Sequence, residues 1–393
     1  MDLTGRLLVT SAPGLEALLA GELRGLGLDP ACEPSGAVSV AASLEAAARV
    51  LVRCRVGSRV LFPVRRFAAK TPAMLYDQVR RIDWPSLFPS TLSMAIDARG
   101  SMGDAAYARS FAPLKIKDAI CDEFRKRGHP RPDVDRARPD VGINAFFQNG
   151  RCTLSVDLSG EPLHRRGYRA EGAAAPLREN RAAALLLFAG YDGSRPLVDP
   201  FCGSGTIPIE AALIATRRAP GLLRRVEAFT LARIHREGRE ALEREMAAAR
   251  AEALPKAPCL ILGSDRSPEA VAIARGNAGK AGVRDVVRFE AGDARAVSAP
   301  GAFVVTNPPY GERLGDETEA AALLKELTHR LKHHAVGSTL AIVVPRGPLE
   351  KSVGLKPSAR LAVESAPLAL RFLRYEIFAG KREGVRLPSE PPS

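Results

Sequence analysis

The sequence predicts an α/β protein, with a parallel sheet covered on both faces in its C-terminal half and smaller α+β modules before it. Three observations carry this. From Leu197 onward, short apolar runs alternate with helical patterns in repeated strand–helix units, as a parallel sheet requires. Four of these runs lead into a polar residue, namely Asp199, Asp265, Asp293 and Asn307. Before residue 158 the strands are mixed with amphipathic helices, and Gln148-Asn149-Gly150 between two runs signals a hairpin.

The chain has 393 residues, enough for two or three domains, and 46% are hydrophobic, so most of it should fold. The formal net charge of +13 points to a polyanionic partner, with nucleic acid the first candidate. A solvated basic surface gives the same sum. The six cysteines, Cys32, Cys54, Cys121, Cys152, Cys202 and Cys259, are spread without a Cys-x-x-Cys pair, which disfavours a zinc site or a disulfide framework and fits a reducing cytoplasm. His329 and His333 are four apart, but no His-Glu-x-x-His pattern accompanies them, so no metal is expected. No signal-peptide layout and no bilayer-length apolar run is seen, so a soluble cytoplasmic protein is expected.

Taken in order, Leu7–Thr10 reads as a strand, and Pro13-Gly14 opens a helix with Leu15, Leu18, Leu19, Leu23 and Leu26 on one face. A strand at 37–40, a helix at 44–52 and a longer strand at 59–67 follow, with Pro63 suggesting a sheet edge. A helix over 74–82 is expected to stop at Trp84-Pro85. A strand at 92–98, a helix at 116–127 and two strands around the Asn149-Gly150 turn complete this half, and none of it carries a catalytic pattern. The helix after Ser110 differs in character. Arg109, Lys115, Lys117, Arg125, Lys126 and Arg127 cluster there, with Tyr107, Phe111 and Phe124 interleaved, as suits phosphate neutralisation. A solvated helix face is the other reading.

Residues 158–178 are punctuated by Gly, Ala and Pro and read as a connector carrying Arg165 and Arg169. A helix over 179–190 leads to the strand Leu197-Val198 and its helix over 206–216. An Arg/Glu/Ala-rich insert occupies 217–256. Strands at 259–265, 286–290, 302–306 and 338–344, helices at 267–281 and 320–334, and a long alternating strand at 370–378 follow, and the tail 386–393 is expected to be disordered.

In an open parallel sheet, ligands sit outside the carboxyl ends of the strands, so the four polar strand ends converge on one cleft. Between Asp199 and the next helix lie Gly203 and Gly205, where a sharp turn brings a ligand close to bare backbone amides. A dinucleotide fold would want a third glycine at position 208, and Pro208 stands there, so a nicotinamide cofactor is disfavoured. Asn307-Pro308-Pro309-Tyr310 is the more specific motif. The amine on a nucleobase is a poor nucleophile because its lone pair is delocalised into the ring. The Asn307 side-chain oxygen and the Pro308 carbonyl can accept both its hydrogens, which frees the lone pair. Consecutive prolines stiffen the acceptors, and Tyr310 offers a face for an extruded base. A proline-rich strand–helix turn capped by Asn is the bland alternative.

Asp199-Pro-Phe-Cys-Gly-Ser-Gly-Thr206 with Asn307-Pro-Pro-Tyr-Gly-Glu-Arg-Leu314 resembles the class I S-adenosylmethionine-dependent methyltransferases that modify exocyclic amines. Leu158-Ser-Gly-Glu-Pro-Leu-His-Arg-Arg-Gly-Tyr-Arg169, Ala175-Pro-Leu-Arg-Glu-Asn180 and Pro13-Gly14-Leu15-Glu16 narrow this to THUMP-domain RNA guanine-N2 methyltransferases of the RlmL-like, bacterial 23S rRNA type. The resemblance covers nearly the whole chain. It implies a Rossmann-like class I methyltransferase sheet over 191–385, preceded by a ferredoxin-like part over 1–65, a THUMP RNA-binding domain over 66–160 and a connector over 161–190. It implies S-adenosyl-L-methionine as cofactor, held by Asp199, Pro200, Phe201, Cys202, Gly203, Ser204, Gly205 and Thr206. Asp265 would take the ribose, Arg266 would lie beside the adenine, Asp293 and Ala294 would meet its edge, and Asn180 would help close the site. Asn307, Pro308, Pro309 and Tyr310 would form the catalytic loop. RNA would be the partner, 23S rRNA ahead of tRNA, with no membrane and no metal. Enterobacterial relatives continue into a second methyltransferase domain, and the stretch matched here implies one activity. Adenine-N6 methylation of DNA shares the Asn-Pro-Pro-Tyr motif, and an RNA-binding assembly factor with a vestigial core is a reading from a different class.

Overall fold

The computed structural model describes residues 3–33, 36–100, 111–169, 177–310, 317–364 and 369–379. The expectations for Arg109, Tyr107, residues 170–176, Gly311–Leu314 and the tail lie outside them. The chain forms two compact units, one made of Met1–Gly167 with Arg217–Ala253, the other of Tyr168–Thr216 with Leu254–Ser393.

The first unit holds a seven-stranded sheet among the described residues: β1 (Arg6–Thr10), β2 (Ala31–Cys32), β3 (Ala37–Ala41), β4 (Arg59–Ala68), β5 (Met94–Gly100), β6 (Val141–Gln148) and β7 (Arg151–Asp157), in the order β2-β3-β1-β4-β7-β6-β5. All neighbours are antiparallel except β5 and β6. The Asn149-Gly150 turn has φ +52° and +68°, the left-handed pair that a two-residue hairpin needs. Strand β4 is interior only in part. It pairs with β1 over Arg59–Leu61 and with β7 along its length, and its register shifts between Pro63 and Arg65. Pro63 therefore sits beside a bulge, beyond the reach of β1, where its missing N–H costs no ladder bond.

The helix Pro72–Arg80 ends before Trp84-Pro85 as expected, and that pair then starts a short helix, Trp84–Leu87, because proline is tolerated in a first turn and Asp83 Oδ1 accepts from Ser86 N. The insert is helical over Arg236–Ala251, burying Leu242 and Met246. This helix packs on the helix Leu44–Arg53. Arg53 pairs with Glu245, and its guanidinium nitrogens reach both Glu252 oxygens at 2.5 and 2.8 Å.

The second unit holds the other seven-stranded sheet among the described residues: β8 (Leu197–Asp199), β9 (Ile261–Asp265), β10 (Val287–Ala291), β11 (Phe303–Thr306), β12 (Thr339–Pro345), β13 (Ala359–Val363) and β14 (Leu370–Glu376). The order is β10-β9-β8-β11-β12-β14-β13, parallel from β10 to β12 and antiparallel beyond. The chain runs outward from β8 through β9 to β10, then returns to lay β11 on the other side of β8. That reversal opens a crevice at the carboxyl ends of β8 and β11. An apolar core of Val304, Leu327, Leu331, Leu340, Ile342 and their neighbours fixes β11 and β12 under the helix Glu317–His334.

Candidate active site

The carboxyl ends of β10, β9, β8 and β11 stand side by side, so Asp293, Asp265, Asp199 and Asn307 follow one another along one edge of the sheet. Asp199 is 1% exposed. Its Oδ1 accepts from Phe201 N at 3.2 Å and from the Thr306 hydroxyl at 2.5 Å. Burial pushes its carboxyl up to about 7 against the pull of those two donors, and the charge of Asp265 adds to the rise.

The loop after Asp199 is shaped by ties to its surroundings. Pro200 and Cys202 are buried, and Phe201 packs against the β11–β12 core. Cys202 N donates to Ser264 O at 2.9 Å, Gly203 N to Asp265 Oδ2 at 2.9 Å and Gly205 N to Cys202 O at 2.8 Å. The bare amides expected of this glycine turn are thus largely spent inside the fold, and the loop offers a contour more than a row of donors. Gly203 has φ +51° with nothing within 4 Å of where a Cβ would lie, so it borders open space. Gly205 has φ +85°, and a Cβ there would come within 2.9 Å of Ala274 Cβ and 3.0 Å of the Phe289 ring. Ser204 Oγ is buried and has no hydrogen-bond partner among the described residues. A polar group left without a partner beside an open glycine suits a polar ligand.

Asp265 is half-buried, its Oδ1 accepting from Ser267 N at 3.0 Å, while Arg266 is exposed. Asp293 is exposed and is gripped by Arg295, whose Nη2 lies 2.5 Å from Oδ2 and whose backbone N lies 2.8 Å from Oδ1. The Arg295 contacts hold the Asp293 carboxyl down at about 2. Ala294 is buried beside it. Across β8, Asn307 and Tyr310 are half-buried, as is Pro309, and Pro308 is buried. Asn307 Oδ1 is buried and accepts no hydrogen bond from the described residues. Tyr310 also packs against the β11–β12 core, so part of its ring is already used. Asn180 is buried in the first turn of the helix Glu179–Ala189.

Several residues here were not legible as site residues. Thr306 joins the two loops. Asn277 donates from Nδ2 to Ser204 O at 2.9 Å, pinning the glycine turn. Arg169, expected to meet RNA, points its guanidinium into the fold, donating to Thr206 Oγ1 at 3.1 Å and pairing with buried Glu179 at 3.2 Å. It therefore serves to hold the glycine loop.

In the first unit, Lys115 is exposed and enters no ion pair among the described residues. The other described cations of the set are partly neutralised. Lys117 lies 2.7 Å from Asp118, Arg125 lies 3.4 Å from Asp122, and Lys126 lies 4.0 Å from Glu123. Arg127 pairs with Glu123 at 2.7 Å and Asp83 at 2.9 Å, and Arg165 with Glu161 at 3.7 Å. Phe124 is fully buried against Phe88 and His129, so it belongs to the core and cannot stack on a base. Among the described residues no cluster of three His, Cys, Asp or Glu is placed to hold a metal, and no helix is long and apolar enough to cross a membrane.

Three family descriptions match successive parts of the chain: the RlmL ferredoxin-like domain over residues 6–61, the THUMP domain over 69–157, and the RMKL-like methyltransferase domain over 166–369. The chain belongs to the RMKL-like methyltransferase family. Among the relatives of this RMKL-like chain, the ribosomal RNA large subunit methyltransferase K/L of Syntrophotalea carbinolica is 40% identical over 404 residues, covering 100% of this chain and 56% of the relative. The protein of that name from Shewanella frigidimarina is 38% identical, covering 95% and 53%. The chain thus spans about half the length of the curated relatives it matches. Of solved structures, SMU.472, described as a candidate methyltransferase and solved with SAH, superposes with a TM-score of 0.85 at 28% identity, covering 98% of this chain and 100% of that one. TrmN from Thermus thermophilus superposes at 0.68 with 21% identity, covering 95% and 99%, a likeness of fold. The methyltransferase fold expected from the sequence, with its ferredoxin-like and THUMP modules, is the fold this family has.

Proposed function

We propose that the chain is an S-adenosyl-L-methionine-dependent RNA methyltransferase acting in the cytoplasm, and that it methylates the exocyclic N2 of a guanine in 23S rRNA. The observation that carries the reading is Asn307 Oδ1, a buried acceptor with no partner among the described residues, directly after the strand β11 that pairs with β8. The large-subunit rRNA relatives supply the substrate class, and the SAH bound to SMU.472 supports the cofactor.

Held along Asp199–Thr206, Asp265, Arg266, Asp293 and Ala294, the cofactor supplies an electrophilic methyl group. Three inter-strand steps from Asp293 to Asn307 span about 14 Å, room for an elongated nucleoside carrying an amino acid. Asn307 Oδ1 and the Pro308 carbonyl accept the two hydrogens of the target amine, so its lone pair is turned toward the donor loop. Pro308 and Pro309 hold these acceptors in place before the substrate arrives. The uncovered part of the Tyr310 ring stacks on the extruded base. The chain's work is positioning, which by itself lowers barriers substantially. No strong base is needed, because the amine becomes acidic on alkylation. RNA is gripped within 66–160, with Lys115 the cation of the cluster left without an ion pair among the described residues, and the transfer unit lies within 191–385.

The test is methyl transfer from labelled cofactor to 23S rRNA and tRNA transcripts and to duplex DNA, followed by nucleoside mass spectrometry. N2-methylguanosine in 23S rRNA is the expected product. The same product in tRNA alone, or N6-methyladenine in DNA, would replace the substrate assignment. A chain that binds no S-adenosylmethionine would support the assembly-factor reading instead.

A further inference from the structure

The parallel ladder between β8 and β11 pairs Leu197 with Phe303 and Val198 with Val304, and goes no further. Beyond it lie the two strand tips, Asp199 and Thr306, which open the glycine loop and the Asn307 loop. What joins these tips is the hydrogen bond from Thr306 Oγ1 to Asp199 Oδ1, 2.5 Å long, between side chains 0% and 1% exposed. We propose that Thr306 is a positioning residue for methyl transfer: by holding the Asp199 carboxylate, its hydroxyl sets the spacing of the acceptor loop from the donor loop. This rests on the methyltransferase reading above.

Packing does not call for a hydroxyl here. Phe303, Val304 and Val305 fill the rest of β11 and are buried, and a valine at 306 would have nearly the same shape. A buried hydroxyl and carboxyl are tolerated only when they satisfy each other. Their place, directly before Asn307 and directly before the glycine turn, makes a shift in one loop a shift in the other. The groups around Asp199 are the Phe201 amide, the Asp265 carboxylate and the Cys202 thiol. Of these the amide and the Thr306 hydroxyl favour the ionised carboxylate, so losing the hydroxyl moves Asp199 further upward in pH.

The test compares wild type, Thr306→Val and Thr306→Ser by calorimetric titration with S-adenosylhomocysteine from pH 5.5 to 9.0, and by kcat and KM for methyl transfer to 23S transcripts. In T306V, kcat should fall about tenfold or more while KM for RNA changes little, as expected when reacting groups are misplaced by a fraction of an ångström. The pH midpoint of homocysteine-nucleoside affinity should also move upward. T306S should recover most of kcat and the wild-type midpoint. A T306V enzyme with near-wild-type kcat or an unmoved midpoint overturns the proposal, as does a T306S enzyme as impaired as T306V. If T306V does not fold, Thr306→Ala is read in its place. If the wild type methylates no RNA, the substrate reading fails by itself, and the titration still decides the role of Thr306.

Discussion

Replacing Asp199 with Asn tests the burial of its carboxyl directly. The side chain is 1% exposed, and burial raises its pKa from the usual 3.8 to about 7. An acid with a raised folded pKa contributes most below its unfolded pKa, where both states are protonated. Its contribution is lost as the pH rises from about 3.8 to about 7, because the unfolded chain ionises first. At about 1.4 kcal/mol per pH unit, the loss over this window is of order 4 kcal/mol. Asn keeps the shape and an oxygen for Phe201 N and Thr306, and it does not titrate. The melting temperature of wild type minus that of D199N should therefore fall with pH between about 4 and 7 and level off above. For a unit of 150–250 residues, each kcal/mol is worth roughly 2–4 °C, so a fall on the order of 10 °C is expected. Differential scanning fluorimetry at half-unit pH steps measures it, and groups common to both proteins cancel in the difference. A difference that stays flat across the window refutes the claim that Asp199 is buried with a raised pKa.

Three other outcomes follow from the same geometry. Asn307→Ala should reduce methyl transfer at least a hundredfold while S-adenosylhomocysteine affinity, by calorimetry, stays within about threefold, since the side chain acts on the acceptor and not the donor. Lys115→Ala should weaken RNA binding and lower the salt slope of log K by about one, whereas Arg127→Ala, which gives up carboxylate partners, should lower the melting temperature more than the RNA affinity. Arg53→Ala should destabilise the first unit by about 1–2 kcal/mol, seen as faster proteolysis within 217–253, because Glu245 and Glu252 lose their shared partner.

Much of the fold was legible because strand-end chemistry is local. Asp199, Asp265, Asp293 and Asn307 each follow an apolar run, and a parallel sheet brings such ends together whatever the intervening loops do. The pairing of Thr306 with Asp199 was not legible, because it depends on β11 returning beside β8 across more than a hundred residues. Asn277 and Arg169 were hidden for the same reason, since a helix-borne amide and a connector arginine acquire meaning only from the loop they touch. Strand β13 went unread because it is an edge of five residues whose alternation is blurred by Ala362, an apolar residue at an exposed position. Phe124 misled in the other direction: beside Arg125, Lys126 and Arg127 it looked like a stacking ring, but the helix period turns it inward. Pro63 shows that a residue-level rule can hold on part of a strand and fail on the rest.

The membership of Arg217–Ala253 in the first unit bears on the order in which the protein is made. Synthesis runs from the N-terminus, and domains generally fold as units as they emerge. Here the first unit remains without the helix Arg236–Ala251 until residue 253 has been added, by which time β8 and the Asp199 loop already exist as unpaired chain. β8 then waits for β9 and β11, both encoded later, before either of its edges is covered. The nascent chain must carry an apolar, partnerless strand through the interval in which the other unit is completed. A cut within 161–190 would likewise release a first piece lacking its own helix, so the two units cannot be obtained whole by dividing the chain at one point.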